Sequence, residues 1–126
     1  MDFETLLWLC QSGAREVRRQ IQWSRGEKRI GGRMSCDRAF EGLSEAMHAV
    51  GQGVAYCGAM SEDVGLEEGV NDAFNMGNVQ RFRERAEREG WGDQIALDAL
   101  TDFMEADNEL KAAKGRFQNV CLKDEG

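Results

Sequence analysis

The chain has 126 residues, of which 41% are apolar and 31% charged, and its net charge is −7. This length fits one domain with one hydrophobic core, predicted to span residues 1–126. The composition excludes a disordered chain, and no apolar run approaches the roughly 20 residues that a membrane span requires. Proline is absent, so the strongest helix breaker is missing.

The first predicted helix covers residues 2–24, with Asp2 expected as its N-cap or as an acidic residue of its first turn. Trp8 and Trp23 lie off its apolar face, and we expect a neighbouring helix to cover them. The alternative is that these tryptophans form a second contact surface. Residues of the apolar face recur at steps of three and four: Phe3, Leu6, Leu7, Cys10, Ala14, Val17 and Ile21.

Residues 24–34 contain three glycines and four basic residues, which predicts a loop. A second helix is expected to begin near Ser35 or Asp37. Gly51, Ala55 and Ala59 share one of its faces, which favours close approach of another helix there; a break near Gly51–Gly53 is the alternative. The predicted core face of this helix consists of Cys36, Phe40, Leu43, Met47, Val50, Val54 and Cys57.

The second half of the chain predicts an acidic loop at 61–71, a third helix at about 72–89 and a fourth helix from N-cap Asp93 to Gly115. Gly90 is the expected C-terminal glycine of the third helix. The tail, 116–126, is predicted to dock by a short turn carrying Phe117, Val120 and Cys121. The apolar residues expected inside are Phe74, Val79, Phe82 and Ala86 in the third helix, and Ile95, Ala96, Ala99, Leu100, Phe103, Met104 and Leu110 in the fourth.

Alternating apolar patterns are missing, so the sequence predicts no sheet. Four helices, with a fifth as the alternative, favour an all-α fold: a compact helical bundle in a single domain.

The four cysteines, at positions 10, 36, 57 and 121, share no close spacing, and His48 is the only histidine. This pattern does not favour a zinc site, and we expect no cofactor. The first ten residues lack the basic start of a secretory signal. The sequence therefore predicts free, packed thiols in the reducing cytoplasm.

Two groups of residues raise the question of catalysis. Glu45 and His48 form an ExxH pair, but carboxylate-bridged di-iron bundles need two such pairs, so only a dimer interface could complete a metal site. The second group is an acidic stripe at helical spacing, expected to be a solvated face or an acidic docking surface: Asp98, Asp102, Glu105 and Glu109. The sequence predicts a protein that is not an enzyme, with a metal-dependent enzyme at a dimer interface as second alternative.

Charge is distributed unevenly along the chain. Residues 15–38 hold eight basic and three acidic residues, a net charge of +5, whereas residues 39–126 carry −10. Basic residues beside an aromatic side chain suit phosphate contacts and base stacking, but the acidic chain as a whole is unlike a nucleic-acid binder. Pairing of the basic segment with the acidic stripe is the favoured interpretation. The basic segment consists of Arg15, Arg18, Arg19, Trp23, Arg25, Lys28, Arg29 and Arg33.

The leading functional hypothesis is a non-enzymatic module that binds another protein as a small acidic regulator or inhibitor. Its charged faces would steer the encounter, and Trp8, Trp23 or Trp91 would anchor it. One version is a phage or mobile-element accessory protein whose acidic face mimics nucleic acid. The alternative is direct nucleic-acid binding through residues 15–33. The sequence leaves homodimer formation open as an alternative to a monomer, and no membrane partner is expected.

Overall fold

The computed structural model describes residues 1–25, 36–63, 78–90 and 93–122. These residues form four α-helices: α1 (Phe3–Arg25), α2 (Cys36–Asp63), α3 (Val79–Glu89) and α4 (Gln94–Phe117). A π-helical segment, Gln118–Leu122, follows α4 directly. No strand occurs in the described ranges, so the predicted all-α bundle is confirmed. None of the described helices is long and apolar enough to cross a membrane.

Helix α1 is the element that the sequence predicted best. Asp2 Oδ1 accepts a hydrogen bond of 2.8 Å from the backbone N–H of Thr5, as expected for an N-cap, and the hydrogen bonds from Thr5 lower the pKa of Asp2. The helix extends one residue beyond the prediction, so Ser24 and Arg25 belong to it and not to a loop. Its buried face contains Leu6, Cys10, Ala14, Val17 and Ile21.

Helices α1 and α2 run antiparallel and approach closely at small residues. A Cβ added to Gly42 would lie 2.6 Å from Ser24 Cβ, and one added to Gly13 would lie 3.3 Å from Gly53 Cα. Phe103 of α4 packs against both Gly13 and Gly53. The three helices therefore meet where glycines leave room for an aromatic ring.

The predicted core face of α2 is partly wrong. Leu43 and Cys57 are buried, but Phe40 is 63% exposed, and Met47 and Val54 are also exposed. Cys36 is exposed as well. The buried positions are mainly small: Ala39, Gly42, Leu43, Ala46, Ala49, Gly53, Cys57, Met60 and Ser61.

Helix α2 continues through Gly51–Gly53, so the alternative of a break there is wrong, and the close contact in this region is made by Gly53. Gly51 and Ala55 are exposed, so the predicted packing face is wrong at these two positions, whereas Ala59 is partly buried against the core. Residues 61–63, predicted to open the acidic loop, are the last turn of α2. The remainder of that loop and Phe74 lie outside the described residues.

In the second half of the bundle the buried residues follow the prediction, but α3 begins at Val79 with Asn78 as its N-cap and not near residue 72. Gly90 ends α3 with a φ of +68°, and Phe82 and Ala86 are buried. On α4 the expected core residues are buried except Ile95, which is 60% exposed. Helix α4 continues beyond Gly115, its predicted end, and ends at Phe117. Val120, one of the residues predicted to dock the tail, is exposed.

The four cysteines form two disulfide bonds, Cys10–Cys57 and Cys36–Cys121. The prediction of free thiols is therefore wrong. Spacing along the chain hid these pairs because each bond joins helices that are distant in sequence. Cys10–Cys57 crosslinks α1 to α2, and Cys36–Cys121 joins the start of α2 to the π-helical segment.

The N-cap of α4 gives a direct test of local stability. The Oδ1 atom of Asp93, a half-buried residue, accepts a hydrogen bond of 3.0 Å from the backbone N–H of Ala96. We expect Asp93→Ala to lower the free energy of unfolding by about 1 kcal/mol, because an amide of the first turn loses its acceptor. Asp93→Asn, which keeps an acceptor, is the control and should lose much less. Urea denaturation measures both, and equal losses would contradict the cap.

Candidate protein-binding surface

The face of α1 that points away from the core carries both described tryptophans. Trp8, Ser12, Arg15, Arg19 and Trp23 recur at steps of four, three, four and four, and we call these five residues the outer face of α1. Trp8 is 59% exposed and Trp23 is 41% exposed. The expectation that a neighbouring helix covers both rings is therefore wrong, and the alternative of a second contact surface gains weight.

Trp23 is held in place from the first turn of α2. The guanidinium of Arg38 lies 4.6 Å from the centroid of a Trp23 ring, in a cation–π arrangement. Arg38 Nε also donates a hydrogen bond of 2.8 Å to the backbone carbonyl of Trp23. One residue of α2 thus fixes both the ring and the backbone, which limits the side-chain freedom of Trp23 before any partner arrives.

A shallow groove of about 380 Å³ opens beside Trp23, lined by Arg19, Gln20, Trp23, Glu41 and Glu45. It combines an aromatic ring with charges of both signs, a mixture that suits a polar peptide or protein segment. A second, smaller groove of about 160 Å³ lies where α1 crosses α2, lined by Leu9, Ser12, Gly13, Glu16, Ala49, Gln52, Gly53 and Tyr56.

The arginines of the outer face are ordered by neighbours on the same helix. Arg15 Nη2 donates a hydrogen bond of 3.1 Å to Ser12 Oγ, and Arg19 forms an ion pair with Glu16. Gln20 Nε2 donates to Glu16 Oε1 at 2.9 Å. The hydrogen bonds from Gln20 and from Arg19 lower the pKa of Glu16, so this carboxylate keeps its charge at mildly acidic pH.

Arg18, a residue of the basic segment, forms ion pairs with two residues of the acidic stripe. Its Nε lies 2.7 Å from Glu109 Oε2, and its Nη1 lies 2.8 Å from Asp102 Oδ1. Its Nη2 also donates to the backbone carbonyl of Asp102 at 3.3 Å. Partial burial by itself would lower the pKa of Arg18, but the bonds to Glu109 and Asp102 outweigh it and raise the pKa.

A second arginine approaches the other end of the acidic stripe. Arg83 of α3 lies 3.6 Å from Asp98 and donates a hydrogen bond of 2.7 Å to Thr101 Oγ1. Asp98 Oδ1 also accepts a hydrogen bond of 2.8 Å from Gln94 Nε2. Of the four stripe residues, Glu105 is exposed and has no ion pair with any described residue. Three of the four stripe residues are thus paired within the chain, with Arg18 of α1 or Arg83 of α3.

One further predicted site residue, Arg25, is described by the structure and is not part of the outer face of α1. Arg25 is exposed in the last turn of α1, while Lys28, Arg29 and Arg33, like Trp91, lie outside the described residues. The contact of Arg38 with Trp23 was missed because nothing in the sequence relates positions 15 residues apart across a predicted loop.

The ExxH pair lies on the exposed side of α2, since Glu45 and His48 are exposed and Ala46 and Ala49 face the core. Within the part of the chain that the structure describes, no three His, Cys, Asp or Glu side chains are grouped to hold a metal ion.

The Arg18 ion pairs predict a measurable coupling between α1 and α4. A double-mutant cycle of Arg18→Gln and Asp102→Asn should give a coupling of about 0.5–1 kcal/mol in the free energy of unfolding, since both groups are only partly buried. The coupling should fall as salt rises. The control cycle, Arg19→Gln with Glu16→Gln, tests an exposed pair within one helix and should give less. A coupling near zero at low salt would contradict the contact.

Fold and surface together define a disulfide-linked, all-α bundle with an aromatic and arginine-bearing outer helix face. Comparison with protein families, curated proteins and solved structures finds no match to this chain.

Proposed function

We propose that this chain is a non-enzymatic protein-binding regulator or inhibitor and that its contact surface is the outer face of α1. The observation that carries the proposal is the pair of exposed tryptophans, Trp8 and Trp23, which bracket two exposed arginines on one helix face. Tryptophan and arginine are the residue types that most often dominate the binding energy of protein interfaces. The two partly exposed indole rings offer a partner large amphipathic contact areas towards both ends of this face.

Preorganisation supports the same proposal. Trp23 is positioned by Arg38, and Arg15 and Arg19 are positioned by neighbours one turn away. A partner that binds this face would therefore lose less side-chain entropy than one that must order a flexible surface. The two arginines favour a partner segment with acidic groups beside its apolar contacts.

The acidic stripe is a weaker candidate surface. Mimicry of nucleic acid, as by a phage or mobile-element accessory protein, would need carboxylates free to face the partner. Arg18 and Arg83 neutralise much of the stripe, so we place the contact on α1.

The working environment that we propose is an oxidising one. The sequence predicts a reducing cytoplasm because the first ten residues lack a secretory signal, and free thiols are the consequence of that location. The two disulfides contradict this consequence. Disulfides form and persist mainly in oxidising compartments.

The test compares single variants in an affinity capture with the folded chain as bait, followed by binding measurements on the captured protein. Trp8→Ala and Trp23→Ala should each raise the dissociation constant by roughly 30-fold. This corresponds to a loss of about 2 kcal/mol in binding free energy, as expected for a hot-spot residue. Ile95→Ala is the matched control, because Ile95 is as exposed as Trp8 but lies on α4. Unchanged binding by both tryptophan variants would refute the proposal.

Nucleic-acid binding is the second candidate, because Arg15, Arg19 and Trp23 share an exposed face. It predicts a gel shift at low salt that disappears steeply as salt rises. Arg15→Gln with Arg19→Gln should abolish that shift, whereas Arg18→Gln should change it little because Arg18 is paired inside the molecule. Unchanged migration of the nucleic acid at low salt would exclude this function.

A further inference from the structure

The two disulfide bonds differ sharply in their access to solvent. Cys10 and Cys57 are both 0% exposed and lie in the contact between α1 and α2. Cys36 is exposed and Cys121 is half-buried. A thiol reductant must reach a sulfur atom to attack it, so the folded protein offers it Cys36–Cys121 and shields Cys10–Cys57.

Apart from the helical backbone hydrogen bonds by which it continues α4, the segment that the exposed disulfide restrains has few other attachments. No residue of Gln118–Leu122 is buried, and Val120 and Leu122 are more than half exposed. The nearest noncovalent anchor is Phe117, whose ring centroid lies 6.3 Å from that of Phe40. Apolar burial therefore contributes little to holding the segment against α2, and the covalent bond is its main restraint.

We propose that Cys36–Cys121 is a reducible strap: a dithiol reductant opens it selectively and releases the segment Gln118–Leu122, while Cys10–Cys57 stays closed. This inference is independent of the proposed binding function. It assigns the two disulfides separate roles, one as a permanent crosslink of the α1–α2 pair and one as a redox-sensitive attachment of the C-terminal segment.

The chemical step is ordinary thiol–disulfide exchange. A thiolate of the dithiol attacks Sγ of Cys36, the more exposed of the two residues, so the Cys36–Cys121 bond breaks as a mixed disulfide forms and Cys121 leaves as a thiolate. The second thiol of the reductant then attacks the mixed disulfide and frees Cys36. Two electrons pass from the dithiol, which becomes a disulfide, and both cysteines end as protonated thiols.

Differential alkylation of the full chain tests the order of reduction. The folded protein is exposed to dithiothreitol for increasing times, quenched with an alkylating agent and mapped by mass spectrometry. Alkylation of Cys36 and Cys121 should precede that of Cys10 and Cys57 by at least about tenfold in rate, because the buried bond reacts only when the helices open. Equal rates, or earlier reduction of the buried bond, would overturn the proposal.

Hydrogen exchange tests the release of the segment separately. After selective reduction, amides of Gln118–Leu122 should exchange at least about tenfold faster, whereas amides of α1 around Cys10 should keep their protection. Cys36→Ser with Cys121→Ser should show the fast pattern without any reductant. Unchanged exchange in both samples would show that noncovalent contacts hold the segment, and the strap would be refuted.

Discussion

Replacing Gly53 by alanine should destabilise the protein by about 1–3 kcal/mol, although alanine is normally the better residue inside a helix. A Cβ at this position would overlap the Cε2 and Cζ atoms of the Phe103 ring, and its Cδ2 atom would lie at 3.2 Å. Phe103 is fully buried, so its ring cannot swing into solvent and the helices themselves must move apart.

The same helix supplies a matched control. Gly51 is exposed and a Cβ there would meet nothing within 4 Å, so Gly51→Ala should stabilise the protein by about 0.5–1 kcal/mol. Guanidinium denaturation followed by circular dichroism measures both variants. The opposite signs are the decisive feature, because helix propensity by itself predicts a gain at both positions. A gain for Gly53→Ala would mean that α1, α2 and α4 do not meet at this glycine.

Removal of the buried disulfide should have the largest effect. We expect Cys10→Ala with Cys57→Ala to lower the free energy of unfolding by about 3–4 kcal/mol, since the bond closes a long loop between cysteines 47 positions apart. Its sulfur atoms also fill the contact between α1 and α2, so their removal leaves a small cavity. Denaturation without reductant, compared with the wild type, gives the value.

Two controls accompany this variant. Cys36→Ala with Cys121→Ala opens a longer loop, between cysteines 85 positions apart, which adds only about 0.5 kcal/mol to the entropic loss. It leaves no buried cavity, so its total loss should still be the smaller of the two. Thiol titration of the denatured, unreduced wild type should detect no free thiol. Four free thiols in protein purified under oxidising conditions would contradict both crosslinks.

The candidate surface was only partly predictable from sequence. Periodicity showed that Trp8 and Trp23 lie off the apolar face of the first helix, but it could not show whether another helix covers them. The ion pairs of Arg18 with Asp102 and Glu109 span 84 and 91 positions in the chain. Charge asymmetry suggested that the basic segment would pair with the acidic stripe, but which arginine does so depends on the packing of α4 against α1.

The buried face of helix α2 was predicted wrongly because two stripes of this helix have helical periodicity. Large apolar residues such as Phe40 and Met47 form a periodic stripe, and so do the small residues around Ala46 and Gly53. Hydrophobicity ranks the large stripe as the buried one. At a close helix crossing, however, only small residues fit, so the geometry of packing reversed the order.

The local features could therefore be predicted from the sequence alone. They are the presence of four helices, the caps at Asp2, Asp93 and Gly90, and the core face of α1. Each depends on residues within about one helical turn, whose spacing is visible in the chain. The disulfide partners, the buried face of α2 and the exposure of the tryptophans were decided only by the tertiary structure. Those features depend on which distant surfaces come into contact, and neither spacing nor composition records that choice.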